Sequence, residues 1–338
     1  MSLSRPCTNS TSGRASSERD RSMTRHRSSC WQLAGAWRTS IRRIAVGLAL
    51  LLLPACASAQ ELTPGAYWPL PRGINILTFV NAYNWGGVNF DPSLPVDDAH
   101  ATINTTAVAY TRTLSIAGRS ANVGCQLPVV VGHLEGLYLG VPTELDRFGL
   151  ADPRVSLAVN LYGAPVMAPK AFGSYRMRTL VGASLTLAPP LGEYDNTKVI
   201  NLGSNRWSVK PEIGLAHASG RWVVELMAGV WLFTDNPDFV GGRTRAQDPI
   251  GSAQAHLTYR FTPRIWLAGD ANFYTGGRTT VAGVKHLDLQ KNSRVGSTFS
   301  WALDRHHSLR ASISRGAYTT IGADFTSVAV GYNYAWGR

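Results

Sequence analysis

The stretch ANVGCQLPVVV, residues 121–131, alternates in polarity. Ala121, Val123, Cys125, Leu127, Val129 and Val131 share one face, while Asn122, Gly124, Gln126 and Pro128 share the other until Val130 breaks the pattern. Strict alternation marks a strand whose two sides meet different surroundings. The pattern recurs in twelve segments: 73–85, 102–116, 121–131, 155–161, 175–187, 207–215, 222–232, 255–261, 265–273, 295–303, 309–313 and 328–336, the first two less cleanly than the rest. From residue 60 onward no run of 18 apolar residues exists, so the chain offers no transmembrane helix. Helical periodicity is scarce. The alternation therefore predicts an all-β protein.

The connections alternate as well. Long ones (86–101, 132–153, 188–205, 234–251, 275–293, 315–326) follow the odd segments, and shorter ones (117–120, 162–174, 218–221, 262–264, 304–308) follow the even ones. Four of the five short ones are tight turns containing Gly, Pro or Asp, and 162–174 is the exception. Short turns at one end and long loops at the other, with an even strand number, describe an up-and-down antiparallel transmembrane β-barrel of about twelve strands, its short turns periplasmic and its longer loops extracellular.

The faces carry the same message. A soluble sandwich or lipocalin-like barrel also alternates, but its solvent face is rich in Lys and Glu. Here the polar faces hold Ser, Thr, Asn, Gly and scattered Arg, and charged residues make up 16% of the chain, against about 25% in ordinary soluble domains. Trp207, Trp222, Tyr259, Phe273, Trp301, Tyr334 and Trp336 stand near the ends of the apolar faces, where interfacial aromatic girdles lie. The apolar side of residues 121–131 is thus expected to face lipid and Gln126 the lumen. Pro128 removes a ladder hydrogen bond and is that strand's weakest feature.

The N-terminus reads as a targeting segment. Arg42 and Arg43 precede an apolar run from Ile44 to Leu53, followed by Pro54 and Ala57-Ser58-Ala59, the layout of a secretory signal peptide covering residues 1–59 with cleavage before Gln60. Met23 is a plausible start of translation. Leu53-Pro54-Ala55-Cys56 is a weak match to a lipoprotein box, and Arg42-Arg43 is explained by a basic n-region without twin-arginine export. Residues 60–338 are expected to form a single domain. Residues 1–59 hold nine Arg and two acids, +7 of the chain's +12, leaving +5. The basic balance is therefore mostly targeting sequence and no sign of nucleic-acid binding. Of the four cysteines only Cys125 lies beyond the leader, so no internal disulfide can form.

Two stretches are more specific than periodicity: PPLGEYDNTKVINLGSNRWSVKPEIGLAH at 189–217 and FGLADPRVSLAVNLYG at 148–163. With them the chain, from about Leu70 to Trp336, resembles the bacterial family described as putative MetA-pathway of phenol degradation proteins. Ala151 departs from the glycine more common there. The resemblance implies an outer-membrane channel or transporter for small molecules, among them aromatic or apolar compounds or their acids. It implies no residue-level mechanism.

Candidate site residues follow from the inward faces. Arg154, Arg176, Arg178, Lys210, Arg260, Arg294 and Arg310 are expected to line the lumen beside Glu212, Glu225 and Asp270, seven bases to three acids. If Arg176, Arg178 and Lys210 cluster, they form a cationic band favouring anions. If the charges instead pair structurally, apolar lumen residues such as Trp231 and Met227 would guide the solute. An outer-membrane lipid hydrolase is an alternative, since His256 lies mid-strand on a polar face near Ser252 and Gln254, but the His-x-Ser-Asn-Gly signature of that class is missing. A structural or ligand-binding barrel that transports nothing is the other alternative. No metal or cofactor is expected: His306 and His307 are adjacent in a turn, and Asp235, Asp238 and Asp248 lack calcium-loop spacing. Gly241-Gly242-Arg243 and Gly276-Gly277-Arg278 precede no helix that could cradle a phosphate. The expected partners are outer-membrane lipid, a small-molecule solute and the barrel-assembly machinery.

Overall fold

Hydrogen bonding between neighbouring alternating segments gives a closed ring. The structure, a computed structural model, describes residues 64–90, 96–198 and 200–337; the expected leader, its cleavage site and Met23 lie outside the described residues. The strands are β1 (Asn75–Asn89), β2 (Val96–Ile116), β3 (Arg119–Tyr138), β4 (Val141–Leu150), β5 (Arg154–Tyr162), β6 (Thr179–Ala188), β7 (Ser208–Ser219), β8 (Trp222–Phe233), β9 (Asn236–Phe239), β10 (Arg243–Gln247), β11 (Ile250–Arg260), β12 (Ile265–Gly276), β13 (Thr279–Val281), β14 (Val284–Lys285), β15 (Gln290–Ala302), β16 (His307–Tyr318) and β17 (Gly322–Trp336). One short helix, α1 (Pro169–Phe172), interrupts the series.

Twelve strands close the wall, in the order β1, β2, β3, β5, β6, β7, β8, β11, β12, β15, β16, β17, and β1 pairs with β17 from Asn75↔Trp336 to Asn89↔Gly322. All pairings are antiparallel, so no wall strand is left with an open edge of unpaired backbone, a requirement in hydrocarbon. Each of the twelve segments read from sequence is one of these strands. The long connections are more structured than loops: β9 and β10, with β13 and β14 from the next connection, form a separate four-stranded sheet on the extracellular side.

The largest departure is at 132–153, read as a loop. β3 continues to Tyr138, turns at Leu139-Gly140 and returns as β4, paired from Tyr138↔Val141 to Val129↔Leu150. The lower part of β3 pairs instead with β5, from Gln126↔Arg154 to Ala121↔Val159. β4 and β5 are thus one strand broken at Ala151-Asp152-Pro153, and Pro128 sits opposite that break. N–H and C=O of one strand residue point to the same neighbour. The Pro128 carbonyl accepts from the Ala151 N–H, so the N–H that proline lacks would have pointed into the interruption. Asp152 secures the break by accepting from the N–H groups of Gly192 and Ser204 at 2.9 and 2.8 Å and from the Ser204 hydroxyl. The exceptional connection 162–174 carries α1 and packs on the β2–β3 turn, where Ser120 and Val166 exchange backbone bonds with Ala164 and Gly118.

The outward face is apolar, as the alternation predicts. Leu226 (52% exposed), Ile213, Leu257, Val295, Ile313 and Val330 point outward, and all seven expected girdle aromatics are outward too. Trp222 packs on Tyr259 at 4.7 Å and Tyr334 on Trp336 at 5.5 Å at the periplasmic end. Tyr83 and Trp85, 5.5 Å apart, belong to the extracellular belt.

Candidate functional site

The lumen is not lined by strands alone. Residues 64–72, PGAYWPLPR, precede β1 and carry Pro64, Pro69 and Pro71, which keep them out of any ladder. They run inside the barrel. Gly65, at φ 83°, turns the chain there, a conformation glycine adopts without strain. Its N–H donates to both carboxylate oxygens of Glu225 at 3.1 Å. Tyr67 is 3% exposed and lies over Gly182 and Gly214, direct partners in the β6–β7 register. A Cβ on either glycine would come within 2.2 Å of the ring, so the two glycines form its seat. The Tyr67 hydroxyl shares a hydrogen bond with Ser184 at 3.0 Å and donates to Glu212 at 3.2 Å. Trp68 packs on Trp266 at 5.6 Å. Where the segment leaves the lumen, Arg72 N–H donates to Met167 O, and Thr113 donates to Pro71 O.

Around this segment stands a network of charged and polar side chains. Glu225, His256 and Asp270 are register partners across β8, β11 and β12. His256 and Asp270 meet at 2.7 Å, and Thr298 donates to the other Asp270 oxygen at 2.6 Å. Lys210 pairs with Glu212 at 2.7 Å, and Gln254 donates to the same carboxylate. Arg294 donates to Phe325 O, Ser327 and Ser314 at 2.9–3.1 Å. The Arg310 guanidinium lies 5.3 Å from the Trp266 ring centre. Charge taken out of water needs such partners, since an isolated buried ion is costly.

The expected site residues therefore divide. Lys210, Glu212, Glu225, Asp270, Arg294 and Arg310 lie on inward faces within this network, and Arg154 is inward at the start of β5. Arg260 sits at the periplasmic rim, donating to Gly220 O. Arg176 and Arg178 do not belong to the lumen wall. The strand expected from residue 175 begins at Thr179, and both side chains are exposed in the connection before it. Lys210 stands near the opposite end of β7, paired with Thr186, whereas Ala218 bonds Arg178 O at the periplasmic end. The three-residue cationic band does not form.

Sequence reading missed the inserted segment and the asymmetry it produces. Inward residues of β8, β11, β12 and β15, such as Trp231, Tyr274, His256 and Asn292, are fully buried. Several of those of β1, β2, β16 and β17, among them Thr78, Val80, Ala82, Thr105, Ala109, Ser312 and Ala329, are only half-buried, whereas Ala107, Thr113 and Phe325 are buried. The accessible side of the lumen is thus walled by small neutral side chains, and most charge is packed against the other side. Paired inward glycines at 182 and 214 were the available signal for something seated on them.

The comparisons agree with this architecture. A family model described as "Putative MetA-pathway of phenol degradation" matches residues 86–332. Among solved structures, the COG4313 outer membrane channel from Pseudomonas putida F1 superposes with a TM-score of 0.68 at 21% identity, covering 82% of this chain and 100% of that one. The transport unit of the autotransporter AIDA-I from Escherichia coli gives 0.47 at 8% identity, covering 89% and 98%. The CymD monoaromatic hydrocarbon channel gives 0.41 at 8%, covering 80% and 90%. No curated protein matches. The chain is a twelve-stranded outer-membrane barrel, and with the matched segment spanning well over half its length it belongs to the putative MetA-pathway of phenol degradation family.

Proposed function

We propose that this protein is an outer-membrane channel for small molecules, and that neutral aromatic or apolar compounds suit it better than their acids. The observation that carries the reading is the division of the lumen. Most of its charge is packed under the inserted segment, Lys210 with Glu212 and His256 with Asp270, while the accessible wall along β17, β1 and β2 is neutral and Arg310 of β16 lies against Trp266. Selectivity in a pore follows from the groups a solute meets, and here those are mostly hydroxyls, methyls and short apolar chains. The COG4313 outer membrane channel from Pseudomonas putida F1 is in keeping with a channel role. Insertion into the membrane would depend on the barrel-assembly machinery.

The hydrolase alternative is weaker. His256 is oriented by Asp270 as a catalytic base would be, but its Nε2 is buried without a hydrogen-bond partner, so no serine hydroxyl is poised against it. Nor do the described residues contain a cluster of three or more metal-ligating side chains. The test is block of single-channel current in a planar bilayer. A small neutral aromatic compound should interrupt the current more than the corresponding carboxylate does; stronger block by the carboxylate would overturn the neutral-solute reading.

A further inference from the structure

A second candidate site lies on the outside of the wall. Across β1–β4, near the extracellular aromatic belt, the outward face is concave. A groove of about 570 Å³ is lined by Tyr83, Asn104, Val131, His133, Asp146 and Phe148, a volume within the roughly 300–1,000 Å³ of small-ligand sites. Tyr83, Val131 and Phe148 are 45%, 52% and 71% exposed. His133 Nδ1 is held by Asp146 at 2.7 Å, which fixes the ring and leaves Nε2 facing outward. Nearby, Asn81 donates to Asn104 and Thr106 at 2.8 and 2.9 Å, a polar cluster on the outward face, where other strands turn Leu226, Leu257, Val295 or Ile313 to the lipid.

Asn81, Asn104 and Thr106 bond one another, and the hydrogen-bonding capacity left over on Asn104 and Thr106 is better met by a polar cover than by hydrocarbon. A second copy of this chain is a poor cover. Two concave faces do not fill each other, and Glu135 and Glu144, register partners on the same outward face beside Asp146, would meet their duplicates. A lipid fits better. Aromatic rings offer flat apolar faces to the C–H side of a sugar, while amide, imidazole and carboxylate groups bond its rim of hydroxyls. We infer that this groove binds the sugar head group of an outer-leaflet glycolipid, with acyl chain running down over Val131 and the Asn81–Asn104–Thr106 cluster meeting the polar linkage between head and chain. The inference rests on placement in the outer membrane and is independent of whether the lumen conducts.

Native mass spectrometry of the full chain, purified in a detergent without a sugar head, tests it. The probes are lipid A freed of its phosphates, phosphatidylglycerol and zwitterionic phosphatidylethanolamine as lipids lacking a sugar, and dodecyl maltoside as a sugar-headed single chain. One lipid A should stay bound, dodecyl maltoside should compete for it, and neither phosphatidylglycerol nor phosphatidylethanolamine should. Val131→Trp, which fills the groove from an exposed position, and the double change Asn104→Leu with His133→Leu should each lower the bound fraction about tenfold. Leu226→Trp on another outward face should leave it unchanged. Equal retention of phosphatidylglycerol or phosphatidylethanolamine would show that sugar is not read. Unaltered retention in Val131→Trp would place the lipid elsewhere. A wild-type dimer that this variant abolishes would make the groove an interface between copies, and any of the three results overturns the assignment.

Discussion

Replacing Tyr67 by Ala should release the inserted segment from the lumen. A buried aromatic side chain removes about 150–250 Å² from water, which at about 25 cal/mol per Å² is on the order of 4–6 kcal/mol. Water can refill a polar lumen, so the lower end of the range seen for buried aromatic-to-Ala changes, about 3 kcal/mol, is the better figure. Glu212 keeps Lys210 as a partner when the hydroxyl goes, so its loss adds little. At about 1.4 kcal/mol per decade the released population should rise roughly 100-fold. The readout is trypsin cleavage after Arg72, whose N–H is tied to Met167 O when the segment is seated; where reclosing is fast, cleavage tracks that population. Tyr67→Phe should give a rise of only about two- to threefold, the low end of hydrogen-bond loss at about 0.5 kcal/mol, because Glu212 keeps Lys210 as a partner. Gly214→Ala should mimic Tyr67→Ala from the other side of the contact, since its Cβ would occupy the ring's position. Cleavage of Tyr67→Ala at the wild-type rate would refute the seating.

Three further outcomes follow from the geometry. Leu226→Arg puts charge on the lipid face and should cost about 2–4 kcal/mol in a bilayer folding titration, while Ser312→Arg, inward on the accessible side, should cost far less; equal costs would mean the faces are wrongly assigned, and a larger cost at Ser312 that they are reversed. Tags within 277–289 should be accessible on intact cells and tags at 304–306 should not, because the first lies in the extracellular sheet and the second in a turn of the opposite end. Arg176→Gln with Arg178→Gln should leave the reversal potential in a salt gradient unchanged, since neither side chain lies in the lumen wall; a clear shift would restore the cationic band.

The wall was legible because membrane barrels write their surroundings into alternate residues. Trp222, Val224 and Leu226 against Val223, Glu225 and Met227 state which side is lipid without any tertiary information. Charge location was only partly legible. Parity places Lys210, Glu225, Asp270 and Arg294 inward, but it cannot tell that β6 starts at Thr179, because Tyr175–Arg178 alternates as well as a strand while its backbone is a connection. The β3–β4 hairpin was hidden for a related reason. Val141–Leu150 carries Pro142 and three charged residues, Glu144, Asp146 and Arg147, since it stands largely beyond the hydrocarbon and is spared the demand for apolar residues. The inserted segment has no periodicity at all. Its placement depends on Gly182 and Gly214 becoming neighbours through the β6–β7 register, a long-range fact that no local pattern contains.

Single-channel recording in a planar bilayer, comparing the full chain with a form lacking residues 64–70, tests the central claim most directly. Loss of the contacts to Glu225, Glu212, Gly182 and Gly214 should convert a low or intermittent conductance into a larger, steady one. Absence of discrete conductance in both forms would contradict the channel and leave a closed, non-transporting barrel.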